Sequence, residues 1–200
     1  MATSERRSQT SDENLVLQFQ AGDPKALAEL IMRHADRLVN FAYRLTGDFE
    51  TGKEIAREVF LWVAASSGIN ERQTPFALWS YGVARDFAQN ALDARRRHPN
   101  PYRIRPEDWN TDLLESLEGR AQKAPKGMEQ QEADRIKEPL EEALVGLDLN
   151  WRAALTMKEY DRMSYEDIAE GLGVTSGAVE AWIRLSRELI AAALHEKGVL

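Results

Sequence analysis

The chain has 200 residues, of which 43% are hydrophobic and 30% are charged, a composition that is typical of one globular domain or two small ones. The absence of cysteine excludes disulfides and thiolate sites, and with no signal peptide or membrane-spanning run the sequence predicts a cytoplasmic protein without membrane insertion. The net charge of −7 is unlike that of a protein that simply coats DNA, and three widely separated histidines do not predict a metal site or a cofactor.

The first half of the chain predicts helices, because its apolar residues recur at helical spacing and do not alternate as in strands. Asp23 and Pro24 are typical of an N-cap followed by a first-turn proline, and Gly47 is a stop signal. Four helices are predicted, which cover residues 15–20, 24–46, 54–63 and 75–97.

The second half begins with a stretch rich in proline and glycine, residues 99–134, which predicts a flexible linker with one weak helix at 111–117. Further helices are predicted over residues 139–147 and 151–160. The predicted architecture is therefore all-α, with two small helical domains, 12–98 and 135–197, joined by the linker.

A helix-turn-helix is predicted at residues 164–187. Ser164 and Asp167 form a capping box that opens a short helix, and Gly173 tolerates the positive φ of a sharp turn. Thr175 or Ser176 can cap the second helix. In a DNA-binding protein this second helix enters the major groove, whereas the alternative is an ordinary helical hairpin within a bundle.

Four blocks, in this order, carry a family resemblance: AGDPKALAELIMRHADRLVNFAYRLTGD, EIAREVFLWVA, FALWSYGVARDFAQNALDARRR and LDLNWRAALTMKEYDRMSYEDIAEGLGVTSGAVEAWI. Together they resemble bacterial RNA polymerase sigma factors of the extracytoplasmic-function type, which consist of two helical domains called region 2 and region 4. The resemblance implies a transcription initiation factor, not an enzyme, that binds core RNA polymerase and directs it to −10 and −35 promoter elements. It also implies an anti-sigma factor as a further partner.

The resemblance assigns polymerase binding to Glu50, Thr51, Glu54, Arg57 and Glu58. The family has a dense acidic cluster here. Because this chain lacks some of those acidic residues, its docking onto basic groups of the polymerase would be weaker. The alternative is that the three glutamates form one solvated helix face. Thr51 stands at an expected acidic position and is a candidate phosphosite, since phosphorylation adds about −1.5 to −2 charges.

The resemblance places −10 contacts in the loop 66–75 and the helix after it, and the candidates are Asn70, Arg72, Trp79, Arg85, Arg95, Arg96 and Arg97. Clustered arginines favour phosphate contact, and aromatic rings can replace the stacking of a flipped base. Two alternatives stay open. The arginines can form a solvated charge run, and Trp79 can pack with Phe76 and Val83 in the core.

The −35 candidates are Thr175, Ser176, Glu180, Arg184 and Arg187. Glu180, Trp182 and Leu185 stand where the family has basic residues, and residues 139–200 hold six basic against eleven acidic residues. Such a domain should bind duplex DNA weakly. The alternative function is therefore a sigma-like regulator that binds protein partners, with weak or no DNA binding.

Overall fold

The computed structural model describes residues 10–65, 74–96 and 130–199. Eight α-helices and no strands occur in these ranges. In chain order the helices are α1 (Asp12–Gln20), α2 (Pro24–Thr46), α3 (Phe49–Ala65), α4 (Phe76–Arg96), α5 (Gln130–Val145), α6 (Leu149–Glu159), α7 (Tyr165–Leu172) and α8 (Ser176–Glu196). The predicted all-α class is confirmed. We call α1–α4 the first module and α5–α8 the second module.

The long helix α2 of the first module begins and ends where local signals predict. Asp23 caps it by accepting a hydrogen bond from the Lys25 amide at 2.9 Å, and Pro24 occupies the first turn. Gly47 ends the helix with a φ of 70°, in the left-handed region that glycine adopts without strain.

Helix α3 packs closely along α2. A Cβ atom on Gly52 would lie 2.9 Å from the Tyr43 backbone nitrogen, so this approach requires glycine. The helix begins at Phe49 rather than at residue 54, because the Asp48 carboxylate accepts the Thr51 amide at 3.3 Å and so caps it. The largest fully buried side chains of the first module include Leu30, Ile31, Leu38, Phe41, Leu45 and Phe60.

The second module begins earlier than predicted. Helix α5 starts at Gln130 and contains Pro139 in its interior, so residues 130–134 of the predicted linker are helical. A proline removes one backbone hydrogen bond but does not require a helix to begin there. Residues 99–129 of the predicted linker lie outside the described residues.

The two modules pack directly on each other. Helix α4 lies against α7, and α2 lies against α5 and α6. One continuous apolar core results, which runs from Leu15 in α1 to Ile183 in α8. None of the described helices combines the length and the apolarity that crossing a membrane requires.

Candidate nucleic-acid interface

Helices α7 and α8 form the predicted helix-turn-helix with the predicted capping residues. The Ser164 hydroxyl accepts a hydrogen bond from the Asp167 amide at 3.0 Å, and Gly173 ends α7 with a φ of 69°. Of the two predicted caps for the second helix, Thr175 forms the bond, accepting from the Ala178 amide at 3.3 Å. Local hydrogen bonds therefore set the turn, and the turn sets the direction of α8.

The N-terminal half of α8 has a buried side and an open side. Val179 and Ile183 are buried against the rest of the module. Among the −35 candidates, Ser176 is half-buried, and those exposed to solvent are Thr175, Glu180, Arg184 and Arg187. The module thus presents two arginines and a glutamate on the surface where a groove-reading helix would need them.

Both of these arginines are paired with carboxylates. Arg184 contacts Glu188 at 2.9 Å, one turn further along α8, and Arg187 contacts Glu159 of α6 at 2.5 Å. The hydrogen bond that Arg187 donates to the Glu159 carboxylate raises the pKa of Arg187. Exposed pairs of this kind contribute little to stability, so a phosphate can displace either carboxylate.

Trp182 and Leu185, the apolar residues of α8 for which the resemblance implies basic ones, are less exposed than a surface for docking a protein requires. Trp182 and Leu185 are both half-buried, and Trp182 packs against the core. The large exposed apolar residue on this helix is instead Leu189. Trp182 is therefore in part a packing residue of the second module.

Trp79 is a core residue, which contradicts its predicted role among the −10 contacts. Only 5% of Trp79 is exposed. Its ring stacks on Trp62 with centroids 5.5 Å apart and lies 5.7 Å from the Phe76 ring. A side chain held between α3 and α4 in this way is not available to stack on a flipped base, so the packing alternative holds.

Arg85, another −10 candidate, lies at the contact between the modules. Its guanidinium donates to the Leu172 carbonyl at 3.1 Å and to the Asn150 side-chain oxygen at 3.3 Å, and it pairs with Asp86 at 2.6 Å. The remaining candidates of this group lie outside the described residues or have side chains that do: Asn70, Arg72, Arg95, Arg96 and Arg97.

The candidate polymerase-binding residues on α3 differ in exposure. Glu50 and Glu54 are exposed, whereas Arg57 and Glu58 are half-buried. Lys53 pairs with Glu50 at 2.7 Å and offsets its charge. Of the three glutamates that helical spacing places on one solvated face, only Glu50 and Glu54 are therefore exposed.

Thr51 is half-buried in the first turn of α3, and its hydroxyl donates a hydrogen bond to the Asp48 carboxylate. Sequence reasoning missed Asp48, although an aspartate directly after Gly47 and three residues before Thr51 is a helix N-cap signal. Asp48 supplies an acidic group beside the position where the family has a carboxylate.

Comparison with known proteins places this geometry in a family. Residues 137–190 match the family described as Sigma-70, region 4. The chain is 30% identical over 192 residues to the RNA polymerase sigma-H factor of Pseudomonas aeruginosa, across 94% of this chain and 96% of that protein. The chain belongs to the sigma factor family. An ECF RNA polymerase sigma-E factor of Haemophilus influenzae, 29% identical over 91% of this chain and 94% of its own length, identifies the extracytoplasmic-function type.

The fold of this sigma factor is also found in a solved structure. The sigma factor RpoE of Bartonella quintana, crystallised with the anti-sigma factor NepR, superposes with a TM-score of 0.58 over 84% of this chain and 95% of that chain. At 16% identity this likeness supports the two-module fold and no more. The 30% identical relative, and not this likeness in fold, gives the protein its role in transcription initiation. The match of residues 137–190 makes the helix-turn-helix its region 4.

Proposed function

We propose that the protein binds core RNA polymerase through the outer face of α3 and directs it to promoters through −10 contacts near α4 and −35 contacts from α8. The observation that carries the proposal is the capped helix-turn-helix, whose second helix exposes Glu180 and Arg184. Relatives that are sigma factors over nearly their whole length support the same role.

Reading of the −35 element would use the open side of α8. Arg184 and Arg187 would exchange their carboxylate partners for DNA phosphates, and Glu180 would accept a hydrogen bond from the exocyclic amine of cytosine. Since residues 139–200 carry six basic and eleven acidic residues, this contact selects sequence more than it adds affinity.

The −10 contact would draw its affinity from the arginines that cluster between residues 85 and 105. The protein supplies no bond chemistry in this role. It holds the opened strand by charge and by contacts to extruded bases, while the polymerase carries out synthesis.

The polymerase contact would use Glu50 and Glu54, with Asp48 and Thr51 at the start of the same helix. We propose an anti-sigma factor as a further partner, because RpoE, which has a similar fold, was crystallised with the anti-sigma factor NepR. Thr51 remains a candidate phosphosite. The positive N-terminal end of the α3 dipole would stabilise a phosphate on Thr51. Phosphorylation would, however, remove the hydrogen bond that the Thr51 hydroxyl donates to Asp48.

In vitro transcription with cognate core polymerase tests the proposal. We expect promoter-directed transcript from the wild type and its loss, by tenfold or more, when Arg95, Arg96 and Arg97 are replaced by alanine. Lys25→Ala, which removes an exposed cation of α2, is the control and should leave the transcript unchanged. No transcript from the wild type on any promoter of a genomic library would contradict the proposal.

The second candidate function is a sigma-like regulator that binds proteins and not promoters. Besides the acidic second module, it is favoured by an open apolar cleft of about 370 Å³ between α5, α6 and α8, lined by Leu140, Leu144, Leu155, Ile190 and Leu194. This alternative predicts no transcript but a stable complex with a protein partner. Leu144→Asp should weaken that complex and leave the transcript of a true sigma factor intact.

A further inference from the structure

Two consecutive acidic residues of α1 reach the start of α4. The Glu13 carboxylate accepts a hydrogen bond from the Phe76 amide at 3.2 Å, although 63 residues separate the two along the chain. The Asp12 carboxylate lies 2.7 Å from Nε2 of His34, and the His34 ring packs edge-on against the Phe76 ring with centroids 5.2 Å apart. Both contacts therefore lead to Phe76, the first residue of α4.

The Phe76 amide needs a partner from another helix, because α4 has no side-chain cap directly before it. The first four N–H groups of an α-helix find no partner within the helix. Pro75 stands at the N-cap position, where its carbonyl accepts the Trp79 amide at 3.0 Å, but proline has no side-chain acceptor. Glu13 takes the place of the missing cap, and its negative charge also favours the positive end of the α4 dipole.

Helix α1 is anchored on the rest of the first module, so the position of Glu13 is fixed. Leu15 and Val16 of α1 are buried in the core. Asp12 also pairs with Arg33 of α2 at 2.7 Å. With its neighbours held in this way, Glu13 lies at the surface with its carboxylate directed at the first turn of α4.

The start of α4 bears on the −10 contact, because the loop 66–75 ends there. The resemblance assigns −10 contacts to this loop and to the helix after it. A binding loop whose end is fixed can reject a base that does not fit, whereas a loop whose end is frayed can rearrange around it. A hydrogen bond that fixes the first turn of α4 therefore affects the choice of base without touching DNA.

We propose that Glu13 is a positioning residue for the −10 contact: by capping α4 from α1, it fixes the end of the loop 66–75 and so sharpens the choice of base. The inference rests on the proposed function for its promoter half. Its structural half, the cap, concerns the free protein and is tested without polymerase or DNA.

Hydrogen exchange at the Phe76 amide, followed by NMR on the free protein, tests the cap. Glu13→Ala removes the acceptor, and we expect this amide to exchange about fivefold faster, which corresponds to about 1 kcal/mol. Glu13→Gln removes the same charge from α1 but keeps an oxygen that can accept the hydrogen bond, so its exchange should stay close to that of the wild type. If the alanine variant exchanges at the rate of the wild type or of the glutamine variant, the proposal is overturned.

Transcription from a set of promoters tests the positioning role. The set consists of one promoter that the wild type transcribes and copies of it with single base changes in the −10 or the −35 element. We expect Glu13→Ala to lower the preference for the original −10 bases about fivefold and to leave the preference for the original −35 bases unchanged, while Glu13→Gln keeps most of both. A loss of folded protein would lower every transcript by the same factor and change neither preference. An unchanged −10 preference, or an equal fall in both preferences, would overturn the proposal.

Asp36→Ala is the matched control, because it removes an exposed acidic side chain from α2 of the same module. It should change neither the exchange of the Phe76 amide nor the −10 preference. A fall in −10 preference equal to that of Glu13→Ala would mean that the charge of the module acts and the cap does not. If the wild type gives no transcript from any promoter, the proposed function fails and the promoter half fails with it, whereas hydrogen exchange still decides on the cap.

Discussion

The two halves of the chain differ in where their basic residues lie. In the second module Arg184, Arg187 and Lys197 pair with carboxylates, Lys158 donates to the Met163 carbonyl, and Arg152 donates to helix ends of both modules. Arg33 and Lys53 of the first module are paired with carboxylates too, but residues 85–105 hold six arginines against two acidic residues. Affinity for DNA should therefore come mainly from the first half, and the second module should contribute selectivity.

The largest effect is expected from removing the structural cation of the second module. Arg152→Met keeps much of the side-chain volume but leaves the carbonyls of Leu45, Val145 and Leu147 without their donor. We expect a loss of about 2–4 kcal/mol in the free energy of unfolding, measured by urea denaturation.

The same substitution at Arg85 is the comparison. Arg85→Met removes a partly exposed guanidinium and should cost less than about 1 kcal/mol. If the two variants unfold at the same urea concentration, the distinction between a structural and an exchangeable cation is wrong.

Giving the second module an uncommitted cation should change its DNA affinity. Glu180→Lys alters the charge by two on the open side of α8. We expect duplex affinity to rise about tenfold at low salt and the salt slope to steepen by about 0.9, as measured by fluorescence anisotropy. Glu166→Lys, the same change at an exposed position of α7, serves as control. Equal gains in both variants would mean that α8 does not approach DNA.

Restoring an acidic group on α3 should strengthen polymerase binding by a smaller factor. Thr51→Glu adds a carboxylate beside Asp48, and the two like charges repel each other. The gain in polymerase affinity should therefore appear fully only when Asp48→Asn is added, since asparagine can still cap the N-terminus of α3. We expect the double variant to bind core polymerase about threefold to fivefold more tightly, at about 0.7–1 kcal/mol. Thr51→Gln with Asp48→Asn is the uncharged control. If this control binds core polymerase as tightly as Thr51→Glu with Asp48→Asn, Thr51 is no longer a candidate phosphosite.

The smallest effect concerns pH and the contact between the modules. Burial raises the pKa of Asp161, which faces the buried Tyr81 phenol, while Arg37 and Arg44 favour its charged form. The folded protein therefore binds the carboxyl proton of Asp161 more tightly than the unfolded chain does. The contribution of Asp161 to the free energy of unfolding is greatest below the ordinary aspartate pKa and falls as pH rises through the raised pKa. Asp161→Asn should flatten this part of the stability profile, as measured by urea midpoints across the acidic range, and an unchanged profile would contradict the assignment.

Local signals in the sequence predicted much of the fold. Asp23, Gly47, Ser164, Gly173 and Thr175 each act through a hydrogen bond or a φ angle within a few residues, so their roles can be read without knowing what packs nearby. The helix-turn-helix was correct for this reason. The predicted start of α5 at Pro139 was wrong, because a proline inside a helix removes a single hydrogen bond and the helix continues on both sides of it.

Side chains whose partners lie far along the chain could not be assigned in this way. Arg85 and Arg152 bond to carbonyls 87 and 107 residues away, and a carbonyl has no sequence signature. Trp79 satisfies the spacing of both a core residue and a stacking group, and the position of Trp62 decided between them. The exposure of the candidate residues was therefore predictable on α8, where it follows from helical spacing, and poorly predictable on α4.

The stacked indoles of Trp62 and Trp79 give the first module an optical signature of its own. From rings 5.5 Å apart and 27° from parallel we expect coupled electronic transitions and a paired positive and negative band in the circular dichroism spectrum. Trp151 and Trp182 belong to the other half of the molecule. Melting of α3 against α4 can therefore be followed separately from the loss of helix content, and a chain whose halves unfold in sequence would show two transitions in place of one.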